Sequence, residues 1–244
     1  MARIILLSDI HGNLTALEAV LADARLDETD RVVCLGDVAA MGPQPREVVG
    51  RLRELGCPVV MGNTDAWLAE PPPAKAAGQE EDWLRWGADQ LEADDRAFLR
   101  SFAPTVEVPL DHGGTLLCYH GSPRSFNDAL LPATPPEELD KLLGGYAAVT
   151  VFAGGHTHQQ MLRRHRGSMV INGGAIGRSP SLVPLPSPLR YITWAEYAIL
   201  NLDGASLGVE LRRAPYDRSA LLTTARRAGM LHEAAWSAQW DAAG

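Results

Sequence analysis

The chain is most constrained by apolar runs that stop abruptly at short polar segments carrying glycine. Ala2 to Ser8 is the first apolar run, the pattern of a strand covered on both faces. Leu14, Leu17, Val20, Leu21 and Ala24 then follow at helical spacing, with Asn13 placed as an N-cap. Val32 to Leu35 repeats the strand, Pro43 to Leu55 repeats the helix with Gly56 to end it, and Pro58 to Met61 supplies a third strand. A βαβαβ start implies a parallel sheet with right-handed crossovers and a ligand site beyond the C-terminal strand ends.

The later pattern changes. The triple proline at Pro71, Pro72 and Pro73 breaks the chain, and Gln79 to Phe102 reads as one helix with Trp83, Trp86, Leu91, Phe98 and Leu99 packing. Three hairpins follow from period-two alternation: Val106 to Leu110 with Thr115 to Tyr119, Met161 to Ile171 turning at Arg166-Gly167, and Tyr197 to Leu202 with Leu207 to Arg212. Ala148 to Ala153 is a further strand and Glu137 to Leu143 a short helix. Parallel units followed by hairpins predict an α/β protein in which two mixed sheets pack face to face with helices outside. No internal repeat or composition break divides residues 1–244, so one domain is expected; Ser179 to Pro188, with four prolines, is a loop too short to link domains.

Five polar segments hold the chemistry: Ser8-Asp9-Ile10-His11-Gly12-Asn13, Gly36-Asp37, Gly62-Asn63-Thr64-Asp65, Tyr119-His120-Gly121 and Gly155-His156-Thr157-His158. In an extended segment residues i and i+2 point the same way, so Asp9 with His11, and His156 with His158, can each present two ligand atoms to one site. Glycine beside each polar residue permits a sharp exit from the strand and close backbone approach. Two carboxylates, one amide oxygen and four imidazoles form a mixed nitrogen and oxygen set, which suits manganese, iron, zinc, cobalt or nickel. Seven ligands exceed what one catalytic ion with an open position needs and suffice for two.

The order D-x-H, G-D, G-N-x-D, H-G, G-H-x-H resembles the calcineurin-like metallophosphoesterase superfamily, in particular its small bacterial and archaeal phosphodiesterase branch, and Ile171-Asn172-Gly173-Gly174-Ala175 is similar to the turn that follows in that family. The resemblance implies a four-layer α/β/β/α sandwich and a two-metal cofactor. Asp9, His11 and His158 would hold one ion, Asn63, His120 and His156 the other, and Asp37 would bridge them. It further implies in-line attack on phosphorus by a bridging water or hydroxide. Many larger phosphatases have a histidine after Gly-Asn to protonate the leaving group; here Thr64 occupies that position, and threonine is no general acid near neutral pH. Phosphodiesters and good leaving groups suffer least from that change. Asp65 then has two readings, an acid for the leaving group or a cap for the helix that follows. Asn13, Arg124 and Arg178 are candidate phosphate contacts, and Trp67 is close enough in sequence to line the site.

Composition bounds the partners. Lysine plus arginine number 22 against 30 acids, a net charge of −8 with no basic run, which argues against non-specific binding to nucleic acid or anionic membranes and for a small phosphoester substrate. No apolar stretch approaches the roughly 20 residues that span a bilayer, and Cys34, Cys57 and Cys118 are scattered without C-x-x-C spacing, so free thiols in the cytoplasm are expected. The alternatives are a phosphomonoesterase, a dinucleoside polyphosphate hydrolase and, outside enzymes, an interaction scaffold that keeps this fold without catalysis.

Overall fold

The computed structural model describes residues 2–73, 78–110, 113–146, 148–181, 190–204 and 206–240. Strands β1 (Ala2–Leu7), β2 (Arg31–Cys34), β8 (Trp194–Asp203) and β9 (Ser206–Pro215) form one sheet in the order β2-β1-β8-β9. Strands β3 (Val106–Pro109), β4 (Thr115–Cys118), β5 (Val149–Gly154), β6 (Met161–His165) and β7 (Ser168–Asn172) form the other in the order β3-β4-β5-β7-β6. β1 runs parallel to β2 and antiparallel to β8; β4, β5 and β7 run parallel to one another, with β3 and β6 antiparallel at the edges. Both sheets are therefore mixed, as expected.

Period-two alternation builds the layers. Ile4 and Leu6 point into the space between the sheets with Val33, Leu116, Cys118, Val151, Ala153, Ile171, Ala198 and Leu200. Their neighbours Ile5 and Leu7 point the other way, against Leu17, Val20 and Leu21 of α1 (Leu14–Ala24) and Val48, Val49 and Leu52 of α2 (Pro45–Leu55). On the far sheet Leu117, Phe152 and Val170 face outward against Leu139 and Leu143 of α6 (Pro136–Leu143). Three stacked cores between four layers make the α/β/β/α sandwich. Each fully buried large aliphatic side chain contributes about 1.5–3 kcal/mol, so a one-residue register slip in β1 would move two such residues out of each of two cores.

Two elements differ from the sequence expectation, and the helix that an Asp65 cap would start is present. Pro58 to Met61 is reduced to bridges of Val59 with Cys34 and Val60 with Ala103. The segment Asn63–Ala69 is a helix, α3. The long helix is two, α4 (Gln79–Gln90) and α5 (Ala93–Arg100), separated where Leu91 turns extended and the Asp95 carboxylate accepts from Glu92 N, starting a new helix. Most of the proline-rich loop, residues 182–189, and two residues of the first hairpin turn, 111 and 112, lie outside the described residues. Helices α7 (Arg218–Arg227) and α8 (Glu233–Ser237) complete the chain's order. No described helix is long and apolar enough to cross a membrane.

Candidate metal centre

The polar segments leave β1, β2, β4 and β5 at their C-terminal ends and are laced together by backbone bonds: Asp9 N to Gly36 O, His11 N to Asp37 O, Gly155 N to His120 O, and Gly177 N to Asp9 O. The ligand candidates converge by a route that the alternation argument did not anticipate. Asp9, His11, Asp37, His156 and His158 lie beyond the strands and adopt left-handed backbone, with φ of 53°, 48°, 54°, 66° and 57°. Non-glycine residues held there cost of order 1–3 kcal/mol each, and such positions cluster at functional sites. The flanking glycines serve close approach: a Cβ at Gly62 would stand 2.2 Å from Asp37 Oδ1, and one at Gly155 would stand 2.0 Å from Ser8 Oγ.

Asp9 is fully buried. Its Oδ2 accepts from Ser8 Oγ at 2.5 Å and His156 N at 3.0 Å, while its buried Oδ1 has no hydrogen-bond donor and faces His158 Nε2 at 3.3 Å and His11 Nε2 at 3.9 Å. Asp37 lies across the centre. Its Oδ1 accepts from Thr64 N and lies 3.5 Å from His120 Nε2, and its Oδ2 lies 3.7 Å from His11 Nε2. Backbone carbonyls orient two imidazoles, Leu35 O for His120 Nδ1 at 2.7 Å and Arg178 O for His158 Nδ1 at 3.0 Å. With Nδ1 of each ring held at a carbonyl, each Nε2 is turned inward, where it would offer a lone pair to a cation in the unprotonated ring, and the Nε2 atoms of His158 and His11 are 3.1 Å apart.

An inward-facing set of lone pairs and carboxylate oxygens fits cations. Asp9, His11 and His158 can bring ligand atoms within 4.8 Å of one another, and so can Asp9, Asp37 and His120. Asn63 Oδ1 adds an oxygen 3.1 Å from His120 Nε2, and the His156 ring stands edge-on to His120 with centroids 5.1 Å apart. His156 thus sits beside His120, and both His156 and His158 line the same cavity. Burial works to raise Asp9 and Asp37, but the neighbouring imidazoles overcome it and hold both carboxyls below the usual range. Burial opposes a charge on His120, yet Asp37 and Asp9 lift it to about 10; His11 is pushed down to about 3, chiefly by burial.

A cavity of about 280 Å³ opens on this cluster, lined by His11, Asp37, Asn63, His156 and His158 together with Met41, Thr64, Glu80, Leu84 and Arg178. Arg178 is 6% exposed, and no carboxylate among the described residues lies within ion-pair distance of it. The other candidates lie elsewhere. Asn13 caps α1 by accepting from Ala16 N and donates to Gly177 O, so its buried side chain is a structural tie. Arg124 is exposed, donates to Lys141 O on α6 and is not among the residues lining the cavity. Trp67 likewise does not line the cavity; it packs on the outer core under the Arg85 guanidinium.

Asp65 takes the capping role. Fully buried, it accepts from Asp37 N at 2.7 Å, Val38 N at 2.8 Å and Gly62 N at 3.1 Å, and burial with the nearby Asp37 charge pushes its carboxyl up to about 7. It fixes the loop that carries Asp37 and starts α3. Sequence reasoning missed Met41, Glu80, Leu84 and Tyr191, which reach the site or its supports from distant segments and carry no local motif.

Residues 2–186 match the calcineurin-like phosphoesterase superfamily domain. An uncharacterized protein from Methanocaldococcus jannaschii is 26% identical over 231 residues, 88% of each chain. A symmetrical bis(5'-nucleosyl)-tetraphosphatase from Erwinia tasmaniensis is 37% identical over 93 residues, 37% of this chain and 33% of that protein. The crystal structure of a metallophosphoesterase from Sphaerobacter thermophilus superposes with a TM-score of 0.75 at 25% identity, covering 98% of this chain and 97% of that one.

Proposed function

Because the chain belongs to the calcineurin-like phosphoesterase superfamily, and with it to the metal-dependent phosphoric ester hydrolases, we propose that it hydrolyses small phosphodiesters. The ligand set for two divalent transition-metal ions would be Asp9, His11 and His158 on one side, Asn63, His120 and His156 on the other, and Asp37 between them. When bound, two such ions supply a water of lowered pKa, orient phosphoryl oxygens and neutralise developing charge.

The chain's own residues do the positioning. Leu35 O and Arg178 O hold the His120 and His158 rings with Nε2 inward. Asp65 holds the backbone of Asp37 from beneath. Arg178 places the cavity's buried cation where a phosphoryl oxygen can accept from it. Thr64 brings no acid to the leaving group; its N–H serves Asp37 Oδ1. Diesters with good leaving groups are the substrates this arrangement favours.

The observation that carries the small-substrate reading is the cavity of about 280 Å³ lined by five of the ligand candidates, below the roughly 300–1,000 Å³ of sites that enclose drug-sized ligands. The partial similarity to a symmetrical tetraphosphatase supports a second reading, a dinucleoside polyphosphate hydrolase. Three cysteines without a disulfide support the cytoplasm as its compartment. Elemental analysis followed by assays with manganese on bis(p-nitrophenyl) phosphate, p-nitrophenyl phosphate and diadenosine tetraphosphate separates these readings. Two ions per chain and fastest turnover of the diester are expected. Faster turnover of diadenosine tetraphosphate would replace the first reading with the second, and fewer than one ion with no turnover would overturn both.

A further inference from the structure

Arg178 is held by a part of the chain that contributes nothing to metal ligation. Its Nη2 donates to Tyr191 Oη at 2.5 Å, its guanidinium carbon lies 4.6 Å from the centre of the Tyr191 ring, and its buried Nε has no acceptor. A planar guanidinium lying over an aromatic face and tied at one corner is fixed in direction, with further N–H groups left to donate. Tyr191 is itself clamped. Ile192 N donates to Ser179 O and Ser181 N to Arg190 O, a short antiparallel ladder that places Tyr191 beside Arg178. Tyr191 N donates to Gln239 O, and its ring packs against Trp240 with centroids 5.4 Å apart. Trp240 packs in turn on Trp236, whose indole donates to Met41 O at the cavity rim.

We propose that Tyr191, backed by Trp240, is a positioning residue that aims the Arg178 guanidinium at the substrate phosphoryl group, so that substrate affinity depends on the segment from Tyr191 to Trp240 beyond the matched family domain. The inference rests on the reading of Arg178 as the phosphate contact. A buried cation with a hydroxyl partner and, among the described residues, no carboxylate within ion-pair distance is poised for an anionic ligand. Tyr191 supplies a neutral anchor, which holds the guanidinium without cancelling its charge.

The test uses the full-length, manganese-loaded protein and compares Arg178→Ala, Tyr191→Phe, Trp240→Leu and the double variant R178A/Y191F. The readouts are KM and kcat for bis(p-nitrophenyl) phosphate, the inhibition constant of inorganic phosphate, and metal content. Tyr191→Phe keeps the ring and removes the hydroxyl; KM and the phosphate inhibition constant should both rise about tenfold, equivalent to about 1.4 kcal/mol, with kcat moving less than about threefold on the expectation that uniform binding is what is lost. Trp240→Leu should move the same two constants by a smaller factor, with the metal content of the wild type. In the double variant the Tyr191 change should add nothing to Arg178→Ala. If Arg178→Ala weakens phosphate binding while Tyr191→Phe and Trp240→Leu do not, or if the double variant is additive, the positioning role is overturned and the phosphate contact stands. Should Arg178→Ala itself leave both constants unchanged, the phosphate contact fails and the positioning role with it, while metal stoichiometry and turnover still report on the phosphodiesterase reading.

Discussion

Two cavities lie at different ends of the five-stranded sheet, and the larger is chemically quieter. Near the starts of β5 and β7 a cavity of about 510 Å³ is lined by Asp140, Tyr146, His165, Arg166 and Ser168. Its charges are matched within it: Asp140 accepts from His165 Nε2 at 2.8 Å and from Arg166 Nε and Nη2 at 3.1 and 2.8 Å, and Ser168 donates to Val149 O. At the strand C-termini the cavity is about 280 Å³, yet Asp9 Oδ1 has no donor and Arg178 Nε no acceptor. Buried polar groups are paired in the great majority of cases. Left-handed backbone occurs at both cavities, at Arg166 as at Asp9, so the unmatched buried groups mark the site where volume does not.

The same substitution made in both cavities gives the sharpest contrast. Asp37→Asn should lower kcat/KM by at least about a thousandfold, the equivalent of several kcal/mol of lost charge stabilisation, whereas Asp140→Asn should leave it unchanged in the same assay. Equal losses would dissolve the distinction between the two ends. Metal removal comes next in size. Dialysis against a chelator should lower Tm, and manganese at about a hundred times its Kd should restore about 2.7 kcal/mol, or about 5–11 °C by differential scanning fluorimetry; an unchanged Tm would count against an ion site among these ligands.

Asp65→Asn probes the support of the smaller site. It replaces a double acceptor beneath Asp37 with one acceptor and an NH₂ group, and metal titration should show affinity weakened about 10–100-fold, the usual effect of disturbing a ligand's support. Full activity and affinity would make Asp65 a helix cap alone. The smallest effect belongs to the larger cavity. Asp140 is held at about 2 by Arg166 and His165, below its ordinary 3.8, so the stability it adds is present at neutral pH and is lost as pH falls through about 2. Wild type and Asp140→Asn should differ slightly in urea midpoint at pH 7 and converge near pH 2; a gap that widened on acidification would reverse that assignment.

The layers of the fold were legible because alternation is local. Ile4 and Leu6 against Ile5 and Leu7 announce two buried faces before any partner is known. The break at Leu91 was hidden: the Asp95 carboxylate that starts α5 by capping Glu92 N reads as one more charge in a polar helix. At the site, the ligand types and the strand ends that carry them were legible from spacing. Extended backbone predicts their convergence by alternation, whereas left-handed residues bring it about, since φ at a strand exit depends on the bonds it makes across to other loops, such as Asp9 N to Gly36 O.

What the sequence determined by itself is the inventory and its order: two sheets' worth of alternating strands, and carboxylates, imidazoles and an amide at their ends. The tertiary structure decided how each polar side chain is spent. Asn13, Asp65, Arg124 and Arg178 look equally available along the chain, but a hydrogen bond commits a side chain to whatever stands opposite it. For Asn13 that is Gly177 and for Arg178 it is Tyr191, itself held by Gln239 and Trp240. Periodicity is written within a few residues, whereas those commitments are made between segments the chain brings together only on folding.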